Sequence, residues 1–223
     1  MPAVLWGAQF HHRARRAIFL TITPTTIPTT VPEPTRSQLR QELRARRRKL
    51  SYQQQQQAAR QLDRRLAGSG LLLRHRDIAF YLAGDGEIDP APLLRRCERQ
   101  GKRCYLPVLV PGKRLWFVRY RPGEAMQSNR FGILEPVRRC RRPAWALGLV
   151  LVPLVGFDRN GARLGMGGGY YDRSFSYFRR MPAMRRPRLA GLAHSCQELE
   201  QLPIESWDIP LSMIVTDREV IRP

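Results

Sequence analysis

Between Gly161 and Asp172 the chain reads Gly-Ala-Arg-Leu-Gly-Met-Gly-Gly-Gly-Tyr-Tyr-Asp, with four glycines among the five positions 165 to 169. Such a stretch lets the backbone approach a ligand with its N–H groups uncovered, and a following helix start adds partial positive charge. Arg163 supplies a full charge for a phosphate. Asp172, expected in the first turn of that helix, has two readings. It is either a carboxylate suited to the helix dipole or a ligand for Mg²⁺, which takes one or two carboxylates together with phosphate oxygens and waters. No Lys-Ser/Thr follows the glycines and the spacing is not GxGxxG, so neither generic nucleotide loop is present.

A second stretch, Leu82-Ala83-Gly84-Asp85-Gly86-Glu87, follows an apolar run. It therefore sits where open α/β sheets bind ligands, at the carboxyl end of a strand. Glu87 there is either an ordinary turn residue or an acceptor for the paired N–H groups of an aminopyrimidine-like ring. Trp207-Asp208 is equally open. The four histidines (11, 12, 75 and 194) have no metal-ligand spacing, with His194 reading as a strand-end residue, and no Ser/His/Asp order suggests acyl transfer.

These loops need elements to hold them. Thr35 with Gln38, and Ser51 with Gln54, are capping boxes that open two helices, the second running to about Leu66 and stopping at Gly68. Leu39, Leu43 and Leu50 give the first helix an apolar edge, while Arg36, Arg40, Arg44 and Arg48 fall four apart and form one basic stripe. Strands are expected at Ile78–Leu82, Cys104–Val110, Leu115–Tyr120, Leu147–Phe157, Leu189–His194 and Met213–Thr216. Pro111-Gly112 turns one strand into the next, Asp89-Pro90 opens a helix that ends at Gly101, and Tyr170–Arg180 is expected as a helix. Strands alternating with helices indicate a single three-layer α/β/α domain with a mostly parallel sheet.

Composition narrows the class. The 223 residues are 43% apolar and 26% charged, enough for a core. No run reaches the about 18 apolar residues of a membrane helix. Cys97, Cys104, Cys140 and Cys196 show no paired spacing, so four buried thiols are expected rather than a disulfide scaffold or a zinc site. Lys and Arg number 39 against 18 for Asp and Glu, a net charge of +21, and only Lys49, Lys102 and Lys113 are lysines. That excess fits a polyanionic partner, or an arginine-rich genome. Residues 1–34 carry the apolar stretch Ala17–Ile22 and a Thr/Pro tract without helical or strand periodicity. They are expected to be a disordered extension, an Arg-rich transit peptide, or sequence read through from a misassigned start, with the domain spanning 35–223.

Several of these segments together resemble one family. Leu154-Val155-Gly156-Phe157-Asp158, followed by Arg163-Leu164-Gly165-Met166-Gly167-Gly168-Gly169-Tyr170-Tyr171-Asp172, is similar to the signature of the 5-formyltetrahydrofolate cyclo-ligases, also called methenyltetrahydrofolate synthetases. Arg36-Ser-Gln-Leu-Arg40, Gly86-Glu87-Ile88-Asp89, Ile133-Leu134-Glu135-Pro136 and Trp207-Asp208-Ile209-Pro210 resemble further family motifs, in family order over residues 36 to 217. Arg36 stands where the family usually has Lys, and residues 1–34 have no counterpart.

The resemblance implies a three-layer α/β enzyme of the cytoplasm, an ATP- and Mg²⁺-dependent ligase of one-carbon metabolism that forms a C–N bond. Its substrates would be ATP and 5-formyltetrahydrofolate, polyglutamylated in the cell, and it would act as a monomer without nucleic acid or membrane. It also implies roles for residues. Arg36, Ser37, Gln38, Leu39 and Arg40, with Arg163, Leu164, Gly165, Met166, Gly167, Gly168, Gly169, Tyr170 and Tyr171, would hold ATP. Asp172 and Asp208 would hold Mg²⁺, and Arg163 and Asp172 would serve catalysis. Leu82 and Glu87 would contact the pterin, and the 166–170 loop would face the folate, with Trp116 and Phe117 as an aromatic wall. Two rivals stand beside this reading. One is a basic nucleic-acid-binding protein, for which no RRM, KH, helix-turn-helix or zinc-finger pattern appears. The other is a sugar-phosphate isomerase or CoA-transferase relative on a related fold.

Overall fold

The computed structural model describes residues 34–137, 140–182 and 186–223. The expected extension therefore lies outside the described residues, apart from Pro34. The first helix, α1 (Arg36–Arg48), is opened by Thr35, whose hydroxyl accepts from the backbone N–H of Gln38 while the Gln38 side chain accepts from Thr35 N–H. Ser51 and Gln54 do the same for α2 (Tyr52–Gly68). After β1 (Asp77–Ala79), Asp89 Oδ1 accepts from Ala91 N–H at the start of α3 (Ala91–Arg99).

The chain then forms a hairpin, β2 (Arg103–Val110) and β3 (Arg114–Arg119), turned at Gly112 and Lys113 with positive φ. A smaller hairpin follows, β4 (Met126–Ser128) with β5 (Leu134–Pro136), and then the short edge strand β6 (Arg141–Arg142). Next is β7 (Leu149–Pro153), four of whose five residues are shut off from solvent. Beyond it come β8 (Gly156–Phe157), β9 (Arg163–Leu164), α4 (Tyr170–Phe175), β10 (Arg188–Leu192), β11 (Met213–Val215) and β12 (Val220–Ile221).

Among the described residues the main sheet has eight strands in the order β12-β11-β10-β7-β1-β2-β3-β6. Its centre, from β11 to β2, is parallel; β12, β3 and β6 are antiparallel additions. Leu62 and Leu66 of α2 and Leu93 and Cys97 of α3 pack on one face against Ile78, Leu106, Leu149 and Leu151. Phe175 of α4, with Leu147, Ile209 and Leu211, covers the other against Val150, Val152, Phe117 and Ile214. This is the three-layer arrangement expected. Helix α1 lies on neither face. Its Leu39 and Leu43 pack with Val155, Leu164 and Leu202, beside the β8–β9 hairpin.

Three local expectations change. The apolar run Leu147–Phe157 is not one strand, because Val155 N–H donates to Leu164 O and Gly156-Phe157 pair backwards with β9. The segment Tyr170–Arg180 is α-helical only to Phe175 and continues as a 3₁₀ turn over Ser176–Arg179. The cysteines divide: Cys97 and Cys104 are buried, Cys196 is half-buried, and Cys140 is exposed beside the two-residue edge strand. No helix among the described residues is long and apolar enough to cross a membrane.

Candidate functional site

The strands β1 and β7 are parallel neighbours, paired Ile78 with Leu149 and Ala79 with Val150. The order in which strands are added reverses at this pair, since β1 continues outward to β2 while β7 leads the other way to β10, and ligands collect outside strand ends at such points. The Gly84–Glu87 turn follows β1, and the β8–β9 hairpin with the glycine loop follows β7. Asp158 fixes that hairpin. Its buried carboxylate accepts from Asn160, Ala162 and Leu202 N–H.

One face of α1 then reaches every loop of the site. Arg36 donates to both oxygens of Asp208, at 2.7 and 3.3 Å, and to Pro203 O. Arg40 Nε donates to Gly165 O at 2.8 Å, and its guanidinium lies 3.5 Å from where a side chain on Gly167 would begin. Gly167 has φ +91°, a conformation that calls for glycine. Arg44 and Arg48 donate to the Asp85 carboxylate. Ser37 and Gln38 are exposed on the first turn. Leu39 and Leu164 are buried against each other's cluster, so only their backbone can reach a ligand.

In the glycine loop, Gly169 takes φ +67° and starts α4. Tyr170 and Tyr171 follow half-buried, while Met166 is exposed. Arg163 is enclosed beside this loop. Its side chain is only 4% exposed, donating to Asp172 Oδ1 and Ile209 O, with Tyr171 6.0 Å beneath it. Engaged in this way, it holds Asp172. Asp172 Oδ1 also accepts from Ile209 N–H, the peptide next to Asp208, at 3.4 Å, whereas Oδ2 has no hydrogen-bond partner among the described residues.

Among the described residues no three His, Cys, Asp or Glu side chains gather to hold a metal unaided. The two aspartates on either side of the Ile209 peptide nevertheless fit Mg²⁺, which takes few carboxylates and completes its shell from phosphate and water. Asp172 Oδ2 has no hydrogen-bond partner among the described residues, while Asp208 accepts from Arg36 and from Glu205 N–H.

At the other loop Glu87 is pulled inward. Its Oε2 accepts from Gly84 N–H at 3.2 Å, its side chain is 15% exposed, and burial raises its pKa, opposed chiefly by Arg47. Leu82 is half-buried against the core. Asp85 takes φ 52°, and despite some burial the three arginines around it hold its carboxyl down at about 2. Tyr81 is buried with its hydroxyl on Ile88 O. The expected aromatic wall is half corrected: Phe117 is fully buried core, and Trp116 is 39% exposed opposite Val108, its side chain without a hydrogen bond or ring contact among the described residues.

Other residues here escaped the sequence. Phe131 meets Tyr170 edge-on at 5.9 Å, and Arg130 donates to the Tyr170 hydroxyl, so the β4–β5 turn leans over the glycine loop. Glu135 docks that hairpin by accepting from Leu109 N–H. The nearest signal was the Ile133–Pro136 motif, which marks the hairpin but not its tip. Arg47, fully buried, carried no signal at all.

The model of the 5-formyltetrahydrofolate cyclo-ligase family matches residues 32–217. The 5-formyltetrahydrofolate cyclo-ligase of Escherichia coli K12 is 40% identical over 179 residues, covering 78% of this chain and 96% of its own. That of Haemophilus influenzae is 42% identical over 140 residues, 61% of this chain and 73% of its own. The solution structure of Aquifex aeolicus 5,10-methenyltetrahydrofolate synthetase superimposes with a TM-score of 0.72 at 31% identity, covering 84% of this chain and 92% of that one. Matched along nearly all of its described length, in sequence and in fold, this chain belongs to the 5-formyltetrahydrofolate cyclo-ligase family.

Proposed function

We propose that the chain closes 5-formyltetrahydrofolate to 5,10-methenyltetrahydrofolate with conversion of ATP to ADP and phosphate. The observation that carries this reading is the single face of α1, whose arginines meet the Asp208 loop, the glycine loop and the Glu87 turn at the switch point between β1 and β7.

The formyl oxygen is a poor leaving group. Its attack on the γ-phosphorus of ATP releases ADP and leaves that oxygen phosphorylated, which activates the formyl carbon. N10 of the folate then attacks that carbon, phosphate departs with the former formyl oxygen, and the N10 proton passes to solvent. The protein's task is to align two substrates and offset phosphate charge.

Arg36 and Arg40 supply the positive charge, and the uncovered backbone of Gly165–Gly169 supplies N–H donors. Arg163 orients Asp172. Asp172 and Asp208 would hold Mg²⁺, which when bound neutralises charge on the β- and γ-phosphates. Glu87 accepts from the pterin's N–H pair, with Leu82 beside it, and the half-buried Tyr170 and Tyr171 border both substrates. Trp116 remains part of this reading only as a rim residue. Folate polyglutamate tails suit a surface of net charge +21. The enzyme acts as a monomer in the cytoplasm.

Purified protein mixed with 5-formyltetrahydrofolate and Mg-ATP is expected to develop the near-ultraviolet absorbance of the methenyl product, and none without ATP. No ATP-dependent absorbance would reject the reading.

A further inference from the structure

Arginine is seldom fully buried, because its charge must be matched inside the protein. Arg47, the penultimate residue of α1, has no exposed surface, and each guanidinium nitrogen is engaged. Nε donates to Asp85 O at 2.8 Å, Nη2 to Asp85 Oδ2 at 2.9 Å, and Nη1 to Leu154 O at 3.0 Å. Glu87 Oε1 lies 3.8 Å from Nη2. The group therefore grips backbone and side chain of one turn residue, sits beside the Glu87 carboxylate, and anchors both to the end of β7.

Its neighbours make the grip uneven. Gln197 Nε2 also donates to Leu154 O, at 2.8 Å, and to Val155 O at 2.9 Å, so the β7 end keeps a holder if Arg47 is lost. Asp85 O has no second donor among the described residues. Asp85 also occupies a left-handed conformation that a residue with a side chain holds only when its surroundings enforce it. Gly86 shows how close the fit is: a Cβ there would stand 3.3 Å from Arg47 O.

We propose that Arg47 is a positioning residue for the folate half of the site: by holding Asp85 in its left-handed turn it sets where the Glu87 carboxylate points, without touching substrate itself. The proposal rests on the reading of Glu87 as the pterin contact. It predicts a selective effect, because the glycine loop is held separately by Arg40, and the β7 end and β8–β9 hairpin that lead to it by Gln197 and Asp158.

The test measures KM for 5-formyltetrahydrofolate and for ATP in the full chain carrying Arg47→Met, Arg47→Lys, Glu87→Gln, or Arg47→Met with Glu87→Gln. Thermal melting confirms that each is folded. Arg47→Met is expected to raise the folate KM about tenfold or more, about 1.4 kcal/mol, and to move the ATP KM by less than about twofold. Arg47→Lys should recover part of that loss. The double variant should be far less than additively worse, because both changes act through one carboxylate. A folded Arg47→Met with unchanged folate KM, or with equal rises for both substrates, overturns the proposal. Should Arg47→Met fail to fold, Asp85→Asn on the surface turn replaces it, with the same selective rise expected and an unchanged folate KM overturning the idea. If Glu87→Gln itself leaves the folate KM unchanged, the pterin reading of Glu87 fails, and the role of Arg47 falls with it. If Glu87→Gln raises it while Arg47→Met does not, only the positioning role fails.

Discussion

Arg36 Nη1 lies 2.7 Å from Asp208 Oδ2, so the first turn of α1 and the C-terminal loop are joined by a charge pair whose partners are 20% and 14% exposed. Asp172 reaches the same loop through Ile209 N–H. If both aspartates serve one Mg²⁺, Asp172→Asn and Asp208→Asn each raise the Mg²⁺ requirement. Loss of an outer partner already costs about 10–100-fold in metal affinity, and loss of a ligand should cost no less. The double variant should then be much less than additively worse. Magnesium titrations of initial rate check this; wild-type magnesium dependence in Asp208→Asn would leave Asp172 as the only protein ligand.

Glu87 links stability to function with opposite signs. Burial raises its folded pKa above the usual carboxylate value, so the folded chain binds its proton more tightly than the unfolded chain does. Its ionised form at neutral pH therefore costs stability, a cost relieved as pH falls through the raised value. Glu87→Gln should melt at a higher temperature at pH 7.5 while losing on the order of 1.5–3 kcal/mol of folate binding. A variant less stable than wild type would show the carboxylate to be structural.

His194 is a second group whose ionisation is tied to folding. Burial lowers its pKa to about 4, against the partial opposition of Asp217. A neutral imidazole in the fold and a protonated one in the unfolded chain mean that its contribution is complete above 6.5 and is lost progressively as pH falls toward about 4. Urea midpoints between pH 7.5 and 4.5 should fall more steeply for wild type than for His194→Gln. Parallel curves would exclude it. Asp85 contributes in a separate window, between its ordinary 3.8 and about 2.

Because Thr35 caps α1 and the family match begins at residue 32, a chain starting at Pro34 is expected to keep its melting temperature and turnover. Loss of solubility or of most activity in that truncation would place the first 33 residues within the working protein.

What could be read from the sequence was what local chemistry decides. Both capping boxes fall where Thr35/Gln38 and Ser51/Gln54 place them, since a cap needs only residues three apart. The glycine loop and the Glu87 turn were legible because glycine and strand-end position are written in the chain itself. Arg47 was not, because it lies off the 36/40/44/48 stripe and its burial depends on Asp85 and Leu154, far away in sequence. The partners of Arg163 were hidden for a similar reason: beside a glycine loop it reads as an anion ligand, and only the folded return of Ile209 and Asp172 encloses it. The run Leu147–Phe157 hid a reversal, since an apolar stretch reads alike whether its hydrogen bonds go to the sheet or back to β9.

The pairing of β1 with β7 governs more than position. Ile78 and Leu149 are roughly seventy residues apart in the chain, so a long loop must close before the Gly84–Glu87 turn and the β8–β9 hairpin come to the same end of the sheet. The helices and the β2–β3 hairpin can form early from nearby contacts, but a half-folded chain has no site. Recovery of substrate binding during refolding should accordingly coincide with the slowest structural phase, and neither substrate alone should find purchase on an isolated half of the molecule.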